Sequence, residues 1–110
     1  MIGQRNKSEG TITATGTIAS FEWRSPANGQ VGVQVVATAL TATLQVQVTL
    51  NGTDWVAVQA TNQNSGTASM SITAAGYYTA TVIGARAVRL QCTAFTSATA
   101  ASAVMIGAVG

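Results

Sequence analysis

Histidine is absent from the 110 residues, cysteine and proline occur once each, and only Glu9, Glu22 and Asp54 carry carboxylates. A hydrolytic site needs a general base beside a nucleophile. The three carboxylates are not spaced as a pair and nothing obvious activates the many Ser and Thr hydroxyls, so no catalytic residue is assigned and an enzyme is not expected. One cysteine without histidine cannot build a zinc shell, and a lone Asp54 cannot build a calcium shell from side chains. Neither a metal nor another cofactor is expected. A single Cys92 also excludes an intramolecular disulfide.

Charge is equally scarce. Arg5, Lys7, Glu9, Glu22, Arg24, Asp54, Arg86 and Arg89 are the complete set, with a net charge of +2, whereas roughly a quarter of an ordinary domain is charged. Binding to nucleic acid requires several cations on one face. No stretch here holds more than two close together, so no nucleic-acid partner is expected. No apolar run has the length of a membrane span, and the start "MIGQRNKSEG" lacks the apolar centre of a signal peptide. A membrane partner is therefore not expected, and synthesis in a cytosol is the default. Aromatic residues are limited to Phe21, Trp23, Trp55, Tyr77, Tyr78 and Phe95, so the core must be built mainly from small and β-branched side chains.

What the chain does contain is strand pattern. In "ALTATLQVQVTL" (39–50) Leu40, Ala42, Leu44, Val46, Val48 and Leu50 share one face and Thr41, Thr43, Gln45, Gln47 and Thr49 the other, the period of two of a half-buried strand. Asn51-Gly52 follows, the pair best suited to a two-residue type I′ hairpin turn, and "DWVAVQAT" (54–61) should fold back against it with Trp55 as a core plug. Further runs at 11–23, 30–38, 68–74, 77–83, 85–95 and 102–109 are separated by turn residues. Cys92 shares a face with Val88, Leu90 and Ala94, which places it in the core. The polar residues 1–10 show no periodicity and are expected to form a flexible N-terminal arm, with residues 11–110 as a single domain. Eight or nine short strands without helical period imply an all-β, two-sheet antiparallel β-sandwich. A jelly roll is the preferred topology, with an immunoglobulin-like sandwich or small barrel as alternatives.

Residues 30–110 carry "NGTDW", "AAGYY" and "GARAVRLQCTAFTSATA" ahead of a final apolar strand. This order resembles small β-sandwich proteins and modules of tailed-bacteriophage virions, in which a Gly-Thr turn leads to a Trp, a Gly-x-Tyr precedes the penultimate strands and an Arg-containing strand runs into the last turn. The match covers about three quarters of the chain, and its motifs are largely fold signals. Ala98 departs from the pattern, standing where that turn usually has Gly, which bears on the loop geometry rather than the fold.

The resemblance implies a structural role with two placements. The leading one is a capsid decoration (cement) protein, located on the virion surface after synthesis in the host cytoplasm. It would bind the major capsid protein and itself as a homotrimer. A single-domain chain beginning with its own Met fits that role better than an adhesin tip. The candidate contact residues are Arg5 and Lys7 in the arm, the row Thr41, Thr43, Gln45, Gln47 and Thr49, and Arg89. Such a neutral row suits an interface, whose centre is depleted in charge. The alternative is a tail, baseplate or fibre module binding host-surface carbohydrate through Trp23, Tyr77 or Tyr78 as a stacking platform. Ice binding through Thr-x-Thr rows is a weaker third reading, since the rows lack regular spacing.

Overall fold

β-Branched residues alternating with small ones form extended chain throughout the computed structural model, which describes residues 4–22, 26–82 and 86–109. Its strands are β1 (Gln4–Thr11), β2 (Gly16–Glu22), β3 (Pro26–Val36), β4 (Ala39–Thr49), β5 (Val56–Val58), β6 (Ala60–Asn62), β7 (Ala68–Ser69), β8 (Gly76–Thr81), β9 (Ala87–Thr99) and β10 (Ser102–Val109). They form a six-stranded sheet, β1-β10-β3-β8-β6-β7, and a four-stranded sheet, β2-β9-β4-β5. All ladders are antiparallel. The fold is thus the two-sheet sandwich that the alternation predicts. Among the described residues no helix is long and apolar enough to cross a membrane.

The core lies between the sheets. Val31, Val33, Val35, Tyr78, Ala80, Ala103 and Met105 from the larger sheet meet Ala19, Leu44, Val46, Val88, Leu90 and Cys92 from the smaller. Short side chains suffice because the facing β-branched rows interlock. Where a residue must be smaller still, the backbones nearly touch. At Gly10 a Cβ would collide with the carbonyl oxygen of Ile18, and Ser20 N–H donates to Ser8 Oγ at 3.0 Å across the same junction.

That junction changes the reading of residues 4–10, residues 1–3 of the expected arm lying outside the described residues. Gln4–Thr11 forms an edge strand paired with β10 along its whole length, where the sequence suggested an arm. Its inward positions include Ser8 and Gly10, opposite the buried Met105 and Ala103. Close approach of β2 leaves no room there for an apolar side chain, so the strand carries no hydrophobic alternation for the sequence to display.

Two other boundaries differ from expectation. The run 54–61 is two strands: β5 pairs with β4 in one sheet, β6 pairs with β7 and β8 in the other, and the chain crosses between sheets at Gln59. "TSATA" (96–100) does not turn throughout, since β9 extends to Thr99 with Ala98 opposite Leu40. The turn falls at Ala100, which holds a left-handed φ of 50°. An L-residue pays about 1–2 kcal/mol there, and glycine, despite its larger unfolded-state entropy, avoids that cost. Ala100→Gly is therefore expected to raise stability by about 0.5 kcal/mol, or roughly 2–4 °C in Tm by thermal melting.

Edge protection combines charge with geometry: edge strand β1 carries Arg5, Lys7 and Glu9. β5 and β7, at sheet edges, are only three and two residues long, and β1 and β2 close one side by their mutual contact. Short strands and charged side chains are recognised means of blunting a sheet edge.

Candidate functional site

The loop after β4 determines what the outer face of the four-stranded sheet presents. Its register pairs Val48 with Val56 and Gln47 with Ala57. A two-residue turn at Asn51-Gly52 would instead have set Val48 against Trp55. The type I′ hairpin does not form: Asn51 has no positive φ, and its Oδ1 accepts from Thr53 N–H and Asp54 N–H, both at 2.8 Å, while its Nδ2 donates to Asp54 at 2.9 Å. This side-chain turn lengthens the loop, and a one-residue slip exchanges the two faces of a strand. Trp55 accordingly leaves the core and lies half-buried on the outer face, a correction to its reading as a core plug. Leu50, expected inward, is 70% exposed because β4 ends at Thr49 and the chain has already entered the loop.

On that face Arg89 stands opposite Gln47 on one side and Ser20 on the other. Its guanidinium stacks on Trp55, 4.2 Å from the ring centroid, and its Nε donates to Gln47 Oε1 at 2.8 Å. Gln47 Nε2 donates on to Gln45 Oε1 at 3.1 Å. Thr17 Oγ1 donates to Gln91 Oε1 at 2.8 Å. The stacked pair adds about 0.5–1 kcal/mol at such a semi-exposed site, and it also fixes the guanidinium in one orientation.

The structure brings together Gln45, Gln47 and Arg89 of the proposed contact set. Thr43 is half-buried beside them and Thr41 is exposed farther along β4. Thr49 drops out as a contact residue: it is 1% exposed, donates to Asn51 Oδ1 and accepts from Gly52 N–H, because the loop folds over that end of the row. Lys7 belongs to the other sheet, exposed and 3.8 Å from Glu9. The side chain of Arg5, whose backbone pairs with Ala108, and the whole of Trp23 lie outside the described residues. Trp55 and Thr17 are members that sequence reasoning missed, and Gln91 shares the polar row of Arg89 without having been among the contact residues. Gln91 and Thr17 had the right strand parity, but Trp55 could be placed only with the loop register known.

The two tyrosines separate as adjacent strand residues must. Tyr78 is buried, with its hydroxyl donating to Ala74 C=O at 2.9 Å, and so is unavailable as a sugar platform. Tyr77 is 49% exposed on the outer face of the six-stranded sheet. Its ring lies close to Gly32, whose added Cβ would meet Tyr77 Cε1 at 3.4 Å, and Gln34 stands opposite it.

Cys92 is wholly buried, and burial pushes its thiol pKa up, with a smaller opposing effect from the Ala94 backbone. The thiolate is the reactive form, so native protein is expected to resist an aromatic disulfide reagent that labels it fully in denaturant. Stoichiometric labelling of the native protein would contradict its position. Among the described residues no group of three or more His, Cys, Asp or Glu could hold a metal ion.

No protein-family model matches the chain, and no curated protein is significantly similar to it in sequence. Among solved structures, the chain is similar to the SPBc2 prophage-derived protein YomS, with a TM-score of 0.75 and 13% identity over 98% of this chain and 97% of that one. It is also similar to the PBSX exported protein XepA, with a TM-score of 0.76 and 11% identity over 100% of this chain and 40% of that one. The chain thus spans less than half the length of the second protein. At these identities the likeness establishes a shared fold.

Proposed function

We propose that the protein is a non-catalytic structural component of a tailed-phage particle, acting as a decoration or cement protein on the assembled head. The observation that carries this reading is the outer face of the four-stranded sheet. It is a charge-poor, hydrogen-bonding surface with one oriented Arg–Trp pair, and scarcity of charge around an Arg and a Trp is a feature of interface centres. The fold shared with a prophage-derived protein over nearly its whole length supports the phage setting. The strand orders β1-β10-β3-β8 and β2-β9-β4-β5 support reading the sandwich as a jelly roll. In this role the protein binds the major capsid protein, associates as a homotrimer as the sequence resemblance implies, and stabilises the shell through many small, repeated contacts.

Quantitative mass spectrometry of purified particles tests the placement. Copies comparable to those of the major capsid protein are expected, and a handful per particle would move the protein to the tail. A tail or fibre module binding carbohydrate is the second reading, favoured by the exposed Tyr77 ring beside Gly32. Under it Tyr77→Ala abolishes retention on host-surface polysaccharide, whereas the decoration reading leaves no such retention to lose.

A further inference from the structure

Arginine can only donate hydrogen bonds, and this sets the polarity of every group around Arg89. With Nε–H directed at Gln47 Oε1, the Gln47 amide has one allowed orientation, and its NH2 must point to Gln45 Oε1. The Gln45 amide is oriented in turn, with its own NH2 as the free end of the chain. Among the described residues no carboxylate forms an ion pair with Arg89, and no protein acceptor takes its Nη groups. A half-buried guanidinium, held from one side by Trp55, therefore presents its end-on donors on the outer face, with the Gln45 amide a further donor at the other end of the hydrogen-bonded chain. Among the described side chains the cluster supplies donors, the side chain of Glu22, two residues along β2 from Ser20, lying outside them.

The geometry points to a carboxylate-recognition site, in which Arg89 Nη1 and Nη2 receive an Asp or Glu side chain from the protein surface against which this sheet docks. An end-on pair of N–H donors matches a carboxylate in bidentate fashion. A polyanionic nucleic acid or phosphate polymer would require more than one cation. A stacked sugar would require the Trp55 face that the guanidinium already covers. Tryptophan and arginine are also the residue types that anchor protein interfaces, and an anchor held in place before binding loses less freedom on association. The inference rests on reading this face as a docking surface and names the chemistry of its partner.

The test uses the full chain and needs no particle. Arg89 Nε–Hε and Trp55 Nε1–Hε1 are followed by ¹⁵N NMR during titration with a capped hexaglutamate peptide, a capped hexaglutamine peptide and a galacturonate hexamer. Saturable shifts of both signals with hexaglutamate, and none with hexaglutamine, are expected. Arg89→Gln should abolish them. Arg89→Lys, which keeps the charge but loses the fork, should weaken binding by about tenfold. Absence of saturable shifts, equal binding of hexaglutamine, or tighter saturation by galacturonate would each overturn the proposal. Normal particle copy number without hexaglutamate binding would leave the structural role standing and remove the site. Hexaglutamate binding by a protein absent from particles would do the reverse.

Discussion

Leu90→Ala is expected to lower stability by about 3–4 kcal/mol, in the range of large-to-small core substitutions. Leu90 has 0% exposure and lies in β9, between β2 and β4, opposite Ala19 and Val46. Hydrogen-bonded ladders on both sides hold its backbone in place, so the cavity left by the side chain has little means of collapsing. The neighbouring alanines and valines are too short to fill it. Since domains of this kind are stable by only about 5–15 kcal/mol, the loss is a large fraction of the total. Urea titration should show a lower midpoint with an unchanged m-value. Leu50→Ala serves as the contrast: its side chain is 70% exposed, and a change within about 0.5 kcal/mol is expected. Equal losses at the two positions would refute the register of the loop after β4.

Gly10→Ala should cost about 2–3 kcal/mol, although it adds a single methyl group to an exposed edge strand. The new Cβ would fall on the Ile18 carbonyl oxygen, with the carbonyl carbon at 3.3 Å and Ile18 Cγ2 at 3.4 Å. The obstacle is backbone, which cannot rotate aside as a side chain can. Relief requires β1 to move away from β2, which breaks the Ser20 N–H to Ser8 Oγ bond. Native-state hydrogen exchange should show protection falling in β1 and in its partner β10, with the β4–β9 ladder retained. Unchanged protection in β1 would mean that the two sheets do not approach at Gly10 as described.

These two sites differ in how far they could be read from the chain. Leu90 was legible, because Val88, Leu90 and Cys92 alternate with Arg89 and Gln91 and no other regular structure accommodates that pattern. Gly10 was not, since a position that must be small because another backbone passes close by looks the same in sequence as a position in a loop. The site followed the same division. Gln45, Gln47 and Arg89 were assigned to an outward row from strand parity alone. Trp55 was assigned to the core because Asn51-Gly52 is a strong two-residue turn signal, and the Asn51 side chain instead caps a longer loop. Thr49 had the correct parity, yet the same loop covers it.

The sequence by itself determined the class of structure, most of the strands, the inward and outward rows of β4 and β9, and the poverty of charge on the outer face. All of these depend on local pattern, because side chains alternate at every residue along a strand. The tertiary structure alone decided that Gln4–Thr11 is an edge strand, that the run 54–61 divides between two sheets, and that Trp55 lies under Arg89. Each depends on the register of one segment against another distant in the chain. A slip of one residue in a loop costs little locally and yet reverses which side chains are buried and which are presented.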